Sequence, residues 1–168
     1  MIDLKPFCSI NASRPGIMQP FRDGDFVYAT DTRIILKIPA TDHPPITASY
    51  HPLTPTSGSI AALGWRHNEI TNWKPCSEWF EKCGYCNGTT EHKCNCGVTH
   101  QCGHCSGTGL RNRTRNVTIG AATIHRNYAK LIWTLPNAEV EADPKQFDAC
   151  VAFRFTGGEG LVMGLRTS

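Results

Sequence analysis

Apolar and polar positions alternate in several short runs. Asp25-Phe-Val-Tyr-Ala-Thr reads as a strand, Asp31 sits in a turn, and Arg33-Ile-Ile-Leu-Lys-Ile alternates after it. Ile34, Leu36 and Ile38 fall on one face and Arg33 and Lys37 on the other, which predicts a β-hairpin. Val117, Ile119 and Ala121 alternate in the same way. The period then changes: Tyr128, Leu131, Ile132 and Leu135 stand at i, i+3, i+4 and i+7. That spacing predicts one amphipathic helix, with Asn127 as its N-cap and Pro136 as its stop. Three further strands follow. Ala138, Val140 and Ala142 alternate with acidic residues, and Val151, Phe153 and Phe155 alternate with Ala152 and Arg154. Leu161, Met163 and Leu165 come after a Gly157-Gly158 turn. Strands with one apolar face suit an antiparallel sheet. The predicted class is α+β: an antiparallel sheet with one main helix.

Two segments break this pattern. Residues 39–75 contain six of the eleven prolines and show no sustained period. Each proline fixes φ and removes a backbone donor, so an extended linker is expected. Residues 76–110 are rich in cysteine, and Ser77–Lys82 could form a helical turn or two before the cluster. The predicted organisation is a discontinuous scaffold over 1–39 and 111–168, a linker over 40–75 and an insert over 76–110.

Composition narrows the function classes. The chain has 168 residues, 18% of them charged, and a net charge of +3, which permits a nucleic-acid partner without demanding one. Its nine cysteines are odd in number, so they cannot all pair internally. Seven of them fall between Cys76 and Cys105, whereas a disulfide framework would spread them along the chain. No basic start followed by an apolar run opens the sequence, and no membrane-length apolar stretch occurs in it. A cytoplasmic, thiol-reducing setting is expected.

The cluster contains Cys83-Gly-Tyr-Cys86-Asn-Gly88 and Cys102-Gly-His-Cys105-Ser-Gly107-Thr-Gly109, with fifteen residues between the two pairs. A C-x-x-C turn aims two sulfurs at one centre, and two such turns at this spacing make a four-thiolate zinc site. Cys83, Cys86, Cys102 and Cys105 are therefore the expected ligands of one structural Zn2+. Between them, Cys94 and Cys96 form a C-x-C. They read either as part of a second zinc site, with His92, His100 or Cys76, or as thiols at a hairpin tip. Disulfide-exchange chemistry competes for the C-x-x-C pairs, but no strand is expected immediately before them.

The paired C-x-x-C-x-G units resemble the cysteine-rich domain of J-domain cochaperones. In that family four repeats bind two zinc ions, and the first repeat pairs with the fourth. Cys83/Cys86 match the first and Cys102/Cys105 the fourth, while the middle repeats shrink to Cys94-Asn-Cys96-Gly97. No His-Pro-Asp signature of a J-domain is present. Residues 23–38 and 117–167 are similar to a domain of the bacterial DNA sliding clamp, the polymerase β subunit. The similarity lies in Tyr28-Ala-Thr-Asp31-x-Arg-Ile, in the helix that opens with Asn127-Tyr128, and in closing strands that end Gly-Leu-Val-Met-Gly-Leu-Arg. These resemblances imply a zinc-stabilised insert on a clamp-like scaffold, as in a phage or prophage accessory protein.

Candidate nucleic-acid contacts are basic. Arg111, Arg113 and Arg115 would share one face of an extended strand, and Arg126 and Lys130 one flank of the helix. Trp65, Trp73 and Trp79 are candidate stacking platforms or packing residues. No catalytic constellation appears: Asp23 and Asp25 flank a turn glycine, and no phosphate-binding glycine motif is present. The expected function is a non-enzymatic zinc-binding accessory protein acting on nucleic acid or a nucleic-acid-handling complex. The alternatives are a module that binds or inhibits a partner protein, with homo-oligomers allowed, and a zinc-dependent chaperone-like or redox protein.

Overall fold

The computed structural model describes residues 2–42, 69–94, 96–112, 116–142, 144 and 150–165. Thirteen strands are found among them. They are β1 (Phe21–Asp23), β2 (Phe26–Thr30), β3 (Ile34–Pro39), β4 (Trp73–Pro75), β5 (Phe80–Lys82), β6 (Glu91–Lys93) and β7 (Thr99–Gln101). Then come β8 (Leu110–Asn112), β9 (Asn116–Ile119), β10 (Ala122–His125), β11 (Glu139–Glu141), β12 (Cys150–Phe155) and β13 (Gly158–Met163). Among the described residues the one α-helix is α1, Arg126–Trp133. The class is α+β. Seven strands form one sheet in the order β1-β2-β3-β13-β12-β11-β4, and each neighbouring pair is antiparallel.

The alternation read from the chain sets the faces of this sheet. Ile34, Leu36, Ile38, Val151, Phe153, Phe155 and Val162 enter the main core, where Ala129, Ile132 and Leu135 of the helical segment cover them. Tyr128 and Leu131 pack on its margin, so the apolar stripe does face the sheet. Gly160 lies opposite Phe153 on this face, and a Cβ there would strike the Phe153 ring and come within 2.5 Å of the Ile35 carbonyl oxygen. The residue is glycine because an aromatic ring needs the space.

The opposite face carries a smaller core of Ile17, Phe21, Tyr28, Ile35, Ala152 and Leu161. Leu161 therefore points away from the helix while Val162 points towards it, and Met163 is exposed. A row of charges crosses this second face. Lys37 pairs with Glu159, Glu159 lies opposite Arg154, and Arg154 donates to Glu139 at 2.7 Å. Alternating signs on adjacent strands suit cross-strand pairing, at about 0.2–1 kcal/mol for each pair.

Two features lie outside the sequence expectation. Trp73–Pro75 is the edge strand β4, paired with β11, and not a linker. Proline is tolerated there because an edge strand has one side free of the hydrogen-bond ladder. β4 makes β11 an inner strand, and Glu141, expected on a solvated face, is buried. The helix is also capped two residues earlier than expected: His125, not Asn127, is the N-cap, its Nδ1 accepting from the Asn127 amide at 3.3 Å. Of the 40–75 segment, residues 43–68 lie outside the described residues. No helix among the described residues is long and apolar enough to cross a membrane.

Candidate metal centre

The cysteine insert is built as two related halves. The first knuckle, Cys83–Thr90, is entered from β5 and left through β6; the second, Cys102–Gly109, is entered from β7 and left through β8. A strand thus leads directly into each C-x-x-C pair, which overturns the expectation that none would. β5 pairs with β8 and β6 with β7, so the strand leading into each knuckle lies beside the strand leaving the other. Local geometry repeats as well. Asn87, Gly88 and Thr90 have φ of 50°, 82° and 72°, and Ser106, Gly107 and Gly109 have 52°, 73° and 72°. Thr89 Oγ1 donates to the Cys86 carbonyl at 2.6 Å, and Thr108 Oγ1 to the Cys105 carbonyl at 2.7 Å. The halves also exchange backbone bonds. The Cys83 amide donates to Gly109 and the Cys102 amide to Thr90, each at 2.9 Å.

This scaffold brings four sulfurs together. Cys83, Cys86, Cys102 and Cys105 are all buried, and their Sγ atoms lie within 4.8 Å of one another. Cys83 and Cys102 Sγ are 3.9 Å apart, and Cys86 and Cys105 Sγ 3.7 Å. Four sulfurs about 2.3 Å from one zinc would stand about 3.8 Å apart at the corners of a tetrahedron. The Gly109 amide donates to Cys105 Sγ at 3.2 Å, a bond that favours the thiolate. Burial pushes the Cys105 thiol up, but that amide and the neighbouring sulfurs outweigh it and bring it down to about 6. Burial raises Cys102 to about 11, while the Cys86 amide leads the effects that lower Cys83. A cation at the centre of this group would displace the remaining thiol protons. The donor set and its spacing fit a metal ion with a closed shell of four thiolates, which orders chain and leaves no coordination position for a substrate.

Cys94 and Cys96 stand apart from this group, at the turn joining β6 to β7, and their sulfurs are joined in a disulfide. His100 lies beside them: one nitrogen of its ring and the two sulfurs fall within 4.8 Å of one another. Cys76, a candidate partner in sequence, is elsewhere. It is packed into the main core, and burial drives its thiol up to about 12. Cys8 is likewise a core residue, its thiol raised by burial to about 11.

The described basic candidates lie on two elements, with Arg126 and Lys130 four residues apart on α1. Arg111 on β8 and Arg126 on α1 are exposed, and Lys130 is half-buried. Arg113, Arg115 and Trp65 lie outside the described residues. Trp73 is covered by the Arg154 guanidinium, 4.5 Å from its ring centre, and Trp79 packs against the main core. An aromatic pair not singled out in the sequence lies on the insert, where Tyr85 stacks on His104 with ring centres 4.1 Å apart. Both occupy x positions of C-x-x-C turns, and both are exposed. No family model, no curated protein and no solved structure matches this chain.

Proposed function

We propose that this is a non-enzymatic zinc-binding accessory protein, with the buried four-sulfur group as a structural zinc site. Its target is nucleic acid or a nucleic-acid-handling complex. The convergence of Cys83, Cys86, Cys102 and Cys105 carries the zinc half of the reading. A closed thiolate shell favours Zn2+, which needs no redox change and accepts four soft ligands. Basic residues support the target. Among the described residues, Arg111, Arg126 and Lys130 make no ion pair, whereas Lys37 and Arg154 both do. Unpaired cations remain available to phosphates. The sliding-clamp resemblance of the scaffold points to the same setting, and a reducing cytoplasm would keep the ligands as thiolates.

Binding to single- and double-stranded DNA and to RNA, measured against salt concentration, tests the target. Phosphate contacts predict that affinity falls steeply as salt rises, and that Arg111→Ala and Arg126→Ala shorten the salt slope. Absence of binding at low salt removes direct nucleic-acid contact. A protein partner is the second reading. It is favoured by the exposed Tyr85 and Val98, each 54% accessible, on the insert. A stoichiometric protein complex lacking nucleic acid supports that reading.

A further inference from the structure

The geometry points to a second, solvent-open metal site at the tip of the β6–β7 hairpin, formed by Cys94, Cys96 and His100 and gated by oxidation of its two thiols.

The hairpin fixes the three donors. The Cys94 amide donates to the Val98 carbonyl at 3.0 Å, and the Gly97 amide to the Cys94 carbonyl at 2.9 Å. Gly97 has φ of 84°, and a Cβ there would meet no atom within 4 Å; its glycine serves the left-handed turn and not packing. This tight turn brings Cys96 back towards Cys94. β6 and β7 place His92 directly opposite His100. Side chains two residues apart share a face of a strand, so Cys94 follows His92 on the face that His100 occupies. The ring of His100 consequently lies diagonally across from Cys94, within reach of both sulfurs.

A Cys2His set is a borderline-soft donor group suited to Zn2+, and three protein ligands leave the fourth position to water. The same sulfurs are joined in a disulfide in this structure, and a disulfide cannot supply two thiolates. The two states therefore exclude each other. The exchange needs an oxidant, and a small disulfide such as oxidised glutathione suffices. The Cys94 thiolate attacks one glutathione sulfur and expels one glutathione thiolate. The Cys96 thiolate then attacks the mixed disulfide at Cys94, closes the Cys94–Cys96 bond and expels the second. Two electrons pass from the protein to glutathione, and the metal loses two of its three protein ligands. Exposure separates the two centres: Cys96 is exposed, whereas the four sulfurs of the first group are buried. A mild oxidant reaches the tip before the buried group.

The test counts zinc per purified full-length chain, first in a phosphine reductant and then after equilibration with oxidised glutathione, with thiols counted by alkylation in parallel. The expected count falls from about two to about one as two alkylatable thiols disappear, and returns when phosphine and Zn2+ are restored. Cys96→Ser should hold the count at about one in both conditions, and His100→Ala should lose the second ion to a competing chelator more readily than the parent does. Equal counts in the two conditions overturn the second site, as does a redox-dependent change that persists in Cys96→Ser. The count remaining after oxidation reports separately on the buried four-sulfur group, so failure of one site is distinguishable from failure of the other.

Discussion

The Tyr128 hydroxyl donates to Asp31 Oδ2 at 2.8 Å, across a sequence separation of 97 residues. The bond ties the only described α-helix to the tip of the β2–β3 hairpin. Asp31 is already committed there, its other oxygen accepting from the amides of Arg33 and Ile34 at 2.8 and 3.0 Å. One carboxylate thus orders the turn and receives the helix.

Tyr128→Phe should destabilise the fold by about 1–2 kcal/mol, because the ring keeps its packing while the carboxylate loses a donor. The bond also shapes alkaline stability. Burial and the Asp31 carboxylate raise Tyr128 from 10.0 to about 12. A pKa higher in the folded than in the unfolded chain means that the contribution is intact below pH 10 and disappears as pH rises towards about 12. Thermal unfolding followed across that window should fall less steeply in Tyr128→Phe than in the parent, an effect reduced by the partial exposure of the group. Identical slopes would refute the coupling.

Ligand loss at the four-sulfur group should act on the insert first. If the group holds the proposed zinc, Cys102→Ser or a strong chelator should release it and melt the two hairpins, since the insert holds little apolar surface apart from its root. Hydrogen exchange should show fast amides over residues 83–109 and continued protection in β3, β12 and β13. Uniform protection of the insert without metal would contradict a folding role for the ion.

Within that insert, Gly109 is more constrained than Gly88. Both have positive φ, but a Cβ at Gly109 would lie 2.5 Å from the Gly88 carbonyl oxygen, whereas at Gly88 the nearest atom is 3.5 Å away on the flexible Lys82 side chain. Gly109→Ala should therefore cost more than the ~1–3 kcal/mol of a strained φ alone, and Gly88→Ala about that amount. Gly109 also donates to Cys105 Sγ, so zinc affinity should fall further in Gly109→Ala. Competition with a chromogenic chelator ranks the two.

Gly160→Ala tests the main core. The added methyl would strike the Phe153 ring and press on the Ile35 carbonyl, so a loss of about 1–3 kcal/mol in chemical denaturation is expected. Combining it with Phe153→Leu should recover part of that loss, because the residues are in contact and their effects do not add. Strict additivity would show that the ring is not the obstacle.

Short-range patterns were legible. The i, i+3, i+4, i+7 stripe placed Ile132 and Leu135 in the core, and C-x-x-C spacing brought the four buried sulfurs together, because a turn and its ligands lie within a few residues of each other. The cap was not legible: Asn127 satisfies the composition rule for an N-cap, but the amide needing a partner is its own, and the preceding His125 supplies the acceptor. Nor was the cover of Trp73, which is supplied by Arg154 from a strand far along the chain, whereas Trp79 packs against the core as one of the two sequence readings had it.

The alternation, the helical stripe and the paired knuckles are properties of the sequence alone, because each is a relation between neighbours imposed by backbone geometry. Tertiary structure decided which strands meet. It added Trp73–Pro75 to the sheet edge, buried Glu141 as a result, drew Cys76 into the core and set His100 beside Cys94 and Cys96. Strand pairing is made by backbone groups that every residue shares, so the partner of a strand is chosen by the burial of the whole molecule and carries little mark in any one segment.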